Sequence, residues 1–396
     1  MKIAFYAPMK PPDAQRPSGD RTIARLLLRA MAIGGHEATV ASDVRSYMAA
    51  PTDRGRLEQI ERQAADDAGR LTETLSLNPP DLWFTYHLFH KAPDLVGPPV
   101  CRALGLPYAI AEASFAPKRA AGPWAARHAQ VRDALGLADH IFFLNPADEA
   151  CVLPQLKTGA THSRLPALVT VPADREPKGR DVYRRRLARE WRLREEAVWI
   201  LAVGMMRPGD KLASFTLLAE TWEKCADLPA HLLIVGDGPA RADVQRRFAS
   251  CADRVSFLGM LDRGKLDSVY NAVDFFFWPG TNEAVGMALL EAMAAGLPVA
   301  TGPWGSVARE IEQGVTGMVA MKVCDFADAV GRLVADPDLR RTMGAAARKH
   351  VLRHHSLSVA ANSLTAAFDD VAGRTGADYA GASRAGRGRI GAGRIA

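Results

Sequence analysis

The chain has 396 residues, of which 48% are hydrophobic and 24% are charged, and its formal net charge is +6. This composition is ordinary for a folded globular protein and excludes both a wholly disordered chain and a membrane bundle, while the mild positive charge selects no class of partner. At roughly 150 residues per domain, the length predicts about two domains.

The cysteines and the N-terminal residues predict a reduced, cytoplasmic protein. Five cysteines are scattered without a C-x-x-C pair, which argues against a disulfide framework or a structural zinc site. Residues 1–8 contain one basic residue and an apolar run too short for a signal peptide. No stretch reaches the roughly 18 uninterrupted apolar residues that a membrane-spanning helix needs. We expect at most peripheral contact with the inner face of a membrane.

The first half of the chain alternates short apolar runs with stretches of helical periodicity. Residues 20–33 carry apolar side chains at helical spacing and end before Gly34 and Gly35. The predicted strands are residues 3–6, 38–41, 82–85, 108–111 and 141–144. Alternation of strands and helices predicts βαβ units and a parallel sheet.

The second half repeats this alternation with sharper boundaries. Its predicted strands are short and apolar, and they end at Gly, Pro or polar residues: 199–203, 232–235, 255–258, 274–278 and 298–301. Helical patterns lie between them, for example at 212–225 and 286–295. We therefore predict an α/β protein with two Rossmann-like, doubly wound domains at residues 1–172 and 173–372, joined through a segment of linker composition that begins near residue 172.

Two basic segments lie outside this pattern of strands and helices. In the Arg-rich run 180–194, Tyr183, Leu187 and Trp191 recur every four residues. One apolar face of this kind favours a solvated surface helix over a nucleic-acid patch, and no nucleic-acid partner is predicted. The tail 373–396 consists mainly of Gly, Ala and Arg, so we predict that it is disordered and makes at most weak contact with an acidic membrane.

The predicted strand 199–203 leads into a turn that carries two cations. Gly204 opens the turn, Arg207 and Lys211 follow, and a helix begins near Lys211. At the carboxyl edge of a parallel sheet these side chains suit a diphosphate, because Arg can fork two oxygens and Lys acts as a point charge. Solvated turn cations are the alternative, and for either residue taken singly that alternative is the commoner one.

Two glycines follow the next predicted strand, in the turn Gly236-Asp237-Gly238-Pro239. They would allow a ligand to approach the backbone closely. Arg241 occupies the place of the third glycine of a G-x-G-x-x-G fingerprint, so dinucleotide binding is poorly supported. A tight structural turn is the alternative explanation.

The most informative motif places two carboxylates around the start of a helix. Glu283 precedes Gly286, where the helical pattern begins, and Glu291 lies more than one turn inside it. Ligands bind to open α/β sheets where a strand ends and a helix begins, and the free N–H groups there attract phosphate. The carboxylates could accept hydrogen bonds from vicinal hydroxyls. A capping carboxylate and a surface charge explain the spacing about equally well.

The three turns belong to one predicted sheet edge, and together they predict a sugar-bearing nucleotide as the ligand. Cations would hold its diphosphate and carboxylates its hydroxyls. The sequence contains no G-x-x-x-x-G-K-[ST], H-E-x-x-H or G-x-S-x-G pattern. One D-x-D match, Asp336-Pro337-Asp338, falls between two helical stretches, where Pro337 suits a helix start, so no metal site is predicted.

Residues 199–359 resemble the donor domain of the retaining GT-B glycosyltransferases of the family 4 type. The resemblance rests on the E-x7-E pair Glu283 and Glu291, the run from Leu290 to Val299, the Gly-Asp-Gly-Pro turn, and Phe257-Leu258-Gly259. It implies the GT-B fold, with two Rossmann-like domains facing each other across a cleft and the last helix, near 358–371, crossing back onto the first domain.

The same resemblance implies roles for the motif residues. Glu291 would bind the nucleotide ribose and Glu283 the hydroxyls of the donor sugar, while Arg207 and Lys211 would stabilise the leaving diphosphate. The remaining donor-binding positions implied by the resemblance are Gly236, Gly238, Leu258, Val285, Gly286 and Met287. In the family the arginine directly follows the glycine that corresponds to Gly204, whereas Met205 and Met206 intervene here.

The first half resembles the acceptor domain of this family more weakly. Gly19 stands before the first helix, where the family often has Gly-Gly, and would let the loop approach the donor phosphates. Many relatives place a pocket histidine after their fourth strand, and Glu112 occupies that position here. Glu112 would hold an acceptor or sugar hydroxyl, unless another group does the chemistry. His87 is the nearest substitute, with His90 beside it, although a lone histidine is more often structural.

We therefore predict a metal-independent hexosyltransferase that moves a sugar from a nucleotide-diphospho-sugar to an acceptor hydroxyl with retention. The nucleotide sugar is a co-substrate, and no cofactor is predicted. A carbohydrate or lipid-linked acceptor, in polysaccharide or glycolipid synthesis, is typical of relatives. Two alternatives stay open: a nucleotide-sugar epimerase of the same fold, and a catalytically silent nucleotide-binding subunit. The second alternative rests on Glu112, which stands where many relatives have a histidine.

Overall fold

The computed structural model describes residues 1–15, 18–171 and 177–386. The chain forms two compact units: residues 1–168 with the segment from Leu357 onward, and residues 169–356. The first crossing between units therefore lies four residues before the boundary expected from the sequence, and residues 172–176 of the expected linker lie outside the described residues. Each unit has a parallel sheet flanked by helices, which confirms the predicted α/β fold of two domains.

The first unit has six parallel strands in the order β2-β1-β3-β4-β5-β6. Its elements up to residue 164 are β1 (Lys2–Tyr6), α1 (Gly19–Ile33), β2 (Glu37–Ser42), α2 (Arg54–Ser76), β3 (Leu82–Leu88), α3 (Gly97–Leu104), β4 (Tyr108–Ala113), α4 (Ala125–Leu137), β5 (His140–Phe143), α5 (Glu149–Val152) and β6 (Thr161–Arg164). The sequence order reverses between β1 and β3, so the turns after these strands lie at the point where doubly wound sheets bind ligands.

The second unit has six parallel strands in the order β12-β11-β10-β7-β8-β9. Its elements are α6 (Pro177–Trp191), β7 (Val198–Val203), α7 (Asp210–Lys224), β8 (Ala230–Val235), α8 (Arg241–Arg247), β9 (Val255–Gly259), α9 (Arg263–Ala272), β10 (Phe275–Trp278), α10 (Met287–Ala294), β11 (Val299–Thr301), β12 (Met318–Val319), α11 (Val323–Ala335) and α12 (Pro337–His354). The order reverses between β7 and β10, which brings the predicted cation turn next to the predicted carboxylate turn.

The last helix, α13 (Leu357–Gly386), belongs to the first unit and packs on α1. Phe368 lies edge-on to Phe84 and Phe142 of the sheet, and His36 is 2.8 Å from Thr365 Oγ1. The helix continues to Gly386, whereas the sequence predicts disorder from residue 373. Alanines favour helix even where few apolar side chains are available to bury. Residues 387–396 of the predicted tail lie outside the described residues.

The arginine-rich run is a surface helix whose arginines partly hold it to its own unit. Arg180 and Arg184 both bind the Asp274 carboxylate, and the Arg184 guanidinium stacks 4.1 Å from the centroid of the Trp199 ring. Burial alone would raise the pKa of Asp274, but Arg184 and Arg180 hold that pKa below its ordinary value. Part of the positive charge of α6 therefore serves to attach the helix to its own unit.

Among the described residues, no helix is both long and apolar enough to cross a membrane.

A carboxylate between two histidines should make the second unit acid-sensitive. Burial alone would raise the pKa of Glu310, but hydrogen bonds from His350 and His355 lower that pKa to about 2. A depressed carboxyl pKa adds stability above the unfolded-state pKa and loses it as pH falls through the folded value. We expect Glu310→Gln to lower the free energy of unfolding near pH 6 by about 1 kcal/mol, a value reduced because the side chain is 39% exposed.

Denaturant titrations of both proteins between pH 6 and pH 3 would measure this contribution. The difference between wild type and Glu310→Gln should shrink below about pH 4.5, the ordinary pKa of glutamate. Glu312→Gln, a change at an exposed neighbouring glutamate, is the matched control and should leave unfolding unchanged. A difference that stays constant across this pH range would contradict the expectation.

Candidate functional site

The turns after β7 and β8 touch each other so closely that only glycine fits at two positions. A Cβ atom on Gly236 would lie 1.9 Å from the carbonyl oxygen of Gly204, and one on Gly238 would lie 2.3 Å from that of Met206. Both glycines also have positive φ values, 139° and 154°. Hydrogen bonds from Gly204 N to Val235 O (3.0 Å) and from Met206 N to Asp237 O (3.0 Å) join the two turns. These contacts support the explanation that the two glycines are needed for a tight structural turn, and this need does not depend on a ligand.

We expect Gly236→Ala to destabilise the protein by about 3 kcal/mol, because strain and overlap with the Gly204 backbone add together. Gly331→Ala is the matched control, since Gly331 lies inside α11 and an added Cβ would have no atom within 4 Å. That change should raise stability by roughly 0.5–1 kcal/mol. Thermal and denaturant unfolding of both variants would measure the two effects, and equal stabilities would contradict the steric argument.

Lys211 and Glu283 form an ion pair that joins the first turn of α7 to the loop after β10. The indole Nε1 of Trp278 donates to Glu283 Oε1 at 3.0 Å, and Lys211 Nζ lies 5.5 Å from the centroid of the Trp278 ring. Trp278 itself packs over Gly204, where a Cβ would be 2.7 Å from the ring. Both charged side chains remain partly exposed. The result is a cation and an anion held side by side at the carboxyl edge of the sheet.

Arg207 stands apart from this ion pair. Met206 is fully buried, and Arg207 follows it as an exposed residue. Within the described parts of the chain, its guanidinium has no hydrogen-bond or ion-pair partner. The extra Met205-Met206 pair is therefore absorbed by burying Met206 while Arg207 stays at the rim of the site.

Helix α10 begins without a capping side chain. Its N-cap residue is Gly286, which has φ 91° and no side chain that could accept a hydrogen bond. The N–H groups of the first turn therefore have no capping side chain. Ser306 N and Val307 N hold the preceding loop through the carbonyl oxygens of Ala284 (3.0 Å) and Val285 (3.1 Å). Met287 is the first helical residue. An uncapped first turn of this kind suits an anion such as phosphate.

Glu291 is held by two residues that the sequence does not single out. Arg263 forms an ion pair with Oε1, and the hydroxyl of Tyr270 donates to Oε2 at 3.2 Å. Burial and the Glu291 charge raise the pKa of Tyr270, so it remains a neutral donor. Each carboxylate oxygen has a further lone pair that can accept from a ligand hydroxyl. The carboxylate is thus fixed in place one turn into α10.

Leu258 is the predicted donor-binding residue on β9. It is half-buried beside Gly259, whose carbonyl oxygen accepts from Gly236 N at 2.8 Å. The strand order brings the ends of β10, β7, β8 and β9 together, as the sequence predicts for these turns.

The D-x-D match lies at the start of a helix and offers no support for a metal site. Asp336 is the N-cap of α12, and its Oδ1 atom accepts from Leu339 N at 2.8 Å. Among the described residues, Glu310, His350 and His355 are a group with ligand atoms within 4.8 Å of each other.

The first unit gathers Gly19, His87 and Glu112 at the carboxyl edge of its own sheet. Gly19 is the first residue of α1, and the next residue, Asp20, lies 3.0 Å from His87 Nδ1 through its Oδ1 atom. His87 and Glu112 have φ values of 63° and 58°, a region that residues other than glycine seldom adopt. His90 instead packs edge-on against Trp124, 5.1 Å between ring centroids.

Burial and neighbouring charges shift the pKa values of His87 and Glu112 in opposite directions. Burial alone would lower the pKa of His87, but Glu112 and Asp20 raise it above its ordinary value. Burial raises the pKa of Glu112, and His87 only partly offsets this. Asp20 is a partner that the sequence pattern did not reveal. A short polar residue beside a predicted helix start was its only signal, and that is typical of an ordinary cap.

Comparison with known proteins identifies the second unit. Residues 197–336 match the family described as Glycosyl transferases group 1. An alpha-D-kanosaminyltransferase of Streptomyces kanamyceticus is 30% identical over 145 residues, which is 36% of this chain and 38% of that protein. A D-inositol 3-phosphate glycosyltransferase of Kribbella flavida is 32% identical over 174 residues, or 40% of each. The chain thus matches less than half the length of these relatives.

Solved structures match nearly the whole chain in fold. HepE of Anabaena in complex with UDP superposes with a TM-score of 0.71 over 93% of this chain and 100% of that chain, at 13% identity. A sucrose-phosphate synthase from Thermosynechococcus elongatus gives 0.66 over 97% and 99%, at 19% identity. The protein therefore has the GT-B fold, as predicted from the sequence, and residues 197–336 match the group 1 family that the sequence resembles.

Proposed function

We propose that this chain, whose residues 197–336 form a group 1 glycosyltransferase domain, transfers a sugar from a nucleotide-diphospho-sugar to an acceptor hydroxyl with retention. The observation that carries the proposal is the arrangement around α10. The Lys211–Glu283 ion pair joins the start of α7 to the loop before α10, the first turn of α10 is uncapped, and Glu291 is fixed one turn inside α10. These groups match the diphosphate, sugar and ribose of one ligand.

In the proposed mechanism the diphosphate lies at the first turn of α10, with Lys211 and Arg207 stabilising the charge that develops as it leaves. Glu283 accepts hydrogen bonds from the sugar hydroxyls, and Glu291 from the ribose. The acceptor hydroxyl attacks the face from which the diphosphate departs, and the diphosphate takes up its proton. No side chain is needed as a covalent nucleophile or to hold a metal.

The ligands of similar proteins support a nucleotide sugar as donor. HepE has been solved with UDP and with UDP-glucose. Relatives include a mannosyltransferase that acts on a phosphatidylinositol monomannoside and a 2-deoxystreptamine glucosyltransferase. We therefore propose a carbohydrate or lipid-linked acceptor and a cytoplasmic location, with a role in glycolipid or polysaccharide synthesis.

Incubation with UDP-, GDP- and ADP-sugars, with and without a cell extract as the source of acceptors, tests the proposal. We expect one donor to release nucleotide only when acceptors are present. Isomerised sugar without an acceptor would identify an epimerase instead. A nucleotide-induced rise in melting temperature without any release would identify a silent nucleotide-binding subunit, since a ligand that binds only the folded state stabilises it.

A further inference from the structure

Three side chains that can bind metals meet in the second unit, outside the set of residues assigned to the donor. Glu310 ends a short 3-10 helix (Ala308–Glu310) between β11 and β12. His350 lies near the end of α12, and His355 is the residue that ends this helix. The glutamate is 40 and 45 residues from the two histidines along the chain, so no local sequence motif indicates that they meet. We call these three residues the His-Glu cluster.

The ligand atoms of the His-Glu cluster lie at distances close to those of a metal site. Oε2 of Glu310 is 3.4 Å from His350 Nε2 and 2.9 Å from His355 Nε2. One ligand atom from each of the three residues lies within 4.8 Å of the others. In a tetrahedral zinc site, bonds of about 2.0–2.2 Å separate two ligand atoms by about 3.3–3.6 Å. Shifts of about 1 Å would therefore bring the three side chains onto one ion.

The chemistry of this ligand set suits zinc better than magnesium or calcium. Two histidines with one glutamate form the three-ligand set of several zinc enzymes, whereas magnesium and calcium prefer oxygen ligands alone. Burial alone would raise the pKa of Glu310, but hydrogen bonds from His350 and His355 lower that pKa to about 2. The carboxylate is therefore ionised at neutral pH, as a metal ligand must be. A neutral imidazole can carry its one proton on Nδ1 and present the lone pair of Nε2 to the ion.

One ligand of the His-Glu cluster is fixed, and another is accessible from solvent. The side chain of His355 is fully buried. Its backbone N–H donates to Val351 O at 2.8 Å, and its carbonyl oxygen accepts from Val169 N at 3.0 Å. Glu310, in contrast, is 39% exposed. An ion can therefore enter from solvent, and water can complete its coordination.

We infer that the His-Glu cluster binds a zinc ion, which fastens the turn between β11 and β12 to the end of α12. The residues just before this turn support the loop that precedes α10. Ser306 N and Val307 N donate to carbonyl oxygens of that loop at 3.0 Å and 3.1 Å. A bound ion would therefore restrain the segment that holds the loop in place. The inference does not rest on the proposed function, because neither the ligands nor the test requires sugar transfer.

Metal titration of the full chain at pH 7, after treatment with EDTA and removal of the chelator, tests this inference. Zn²⁺ should bind with one ion per chain by calorimetry. It should also raise the melting temperature, because a ligand that binds only the folded state stabilises it. Mg²⁺ at the same concentration should do neither, since it prefers oxygen ligands.

Replacing one ligand should weaken Zn²⁺ binding by roughly 100-fold or more, because losing even an outer partner of a metal ligand costs about 10–100-fold. Glu310→Gln and His350→Asn are the informative variants, since both side chains are partly exposed and their loss should not prevent folding. Each variant is compared with itself in the presence and absence of Zn²⁺. The matched control is His162→Asn, a change at an exposed histidine on β6, which should leave the affinity unchanged.

Two results would overturn the inference. The first is the absence of saturable Zn²⁺ binding to the wild type, which would show that the three side chains form a hydrogen-bonded contact alone. The second is an affinity for Zn²⁺ that is preserved in either Glu310→Gln or His350→Asn, which would place the ion elsewhere on the chain. The pH dependence expected of Glu310 holds for the metal-free protein, so those denaturant titrations also need EDTA.

Discussion

Replacing Lys211 with methionine is expected to lower kcat for sugar transfer by roughly 10²–10³-fold, with a smaller change in KM for the donor. The lysine lies in the first turn of α7 and pairs with Glu283 in the loop before α10, where the leaving diphosphate of the proposed mechanism would gain charge. Removing one such electrostatic stabiliser in other enzymes costs about 3–4 kcal/mol of transition-state binding. Steady-state kinetics with the donor identified by the nucleotide panel would measure the loss.

Lys224→Met is the matched control for this prediction. Lys224 is an exposed lysine in the last turn of the same helix, α7, and its replacement should leave kcat within about twofold. Glu283→Gln and the double variant add a second check, because residues of one ion pair should show non-additive losses. A Lys211→Met enzyme that retains more than about a fifth of the wild-type kcat would contradict the assigned role.

Replacing Glu291 with alanine is expected to weaken nucleotide binding by roughly thirtyfold, or about 2 kcal/mol, because hydrogen bonds to a charged acceptor are worth 1.5–3 kcal/mol. Arg263 and Tyr270 hold the carboxylate in place, so little of its orientation has to be fixed when the ligand binds. Calorimetry with UDP, GDP and ADP would measure the change for whichever nucleotide binds.

The variant Arg263→Ala distinguishes the binding of the nucleotide by Glu291 from the positioning of Glu291 by Arg263. It removes the ion pair but leaves the carboxylate and its bond from Tyr270, so nucleotide affinity should stay within about threefold. Its cost in stability should be below about 1 kcal/mol, since Arg263 is half exposed. An unchanged nucleotide-induced melting shift in Glu291→Ala would refute the role of Glu291.

The sheets could be predicted from the sequence to the extent that their strands are apolar. The ten apolar strands were found to within two or three residues at their ends. Strand β6 was missed because Thr161–Arg164 is a polar edge strand with alternating exposure and no hydrophobic signal. Strand β12 was missed because two residues are too few for any periodicity.

The residues of the candidate site could be predicted from the sequence where they follow strand ends, but the residues that hold them in place could not. Lys211 and Glu283 are 72 residues apart, and no local pattern shows that they meet. The same is true of Arg263 and Glu291, which are 28 residues apart. His87 and Glu112 have positive φ values that no local sequence pattern indicates, because residues other than glycine seldom adopt this conformation. The left-handed conformation is what the local sequence could not reveal.

The discontinuity of the first unit has a consequence for protein synthesis. Residues 169–356 form one uninterrupted unit, whereas the first unit needs the segment from Leu357 onward. During translation from the N-terminus, the sheet partners of Phe368 are therefore made long before the helix that covers them. The nascent chain would expose the apolar surface around Phe84 until α13 emerges, so the second unit can finish folding first although it is made later. We expect chaperones to bind most strongly to ribosome-bound chains that are stopped near residue 356, before α13 has been made.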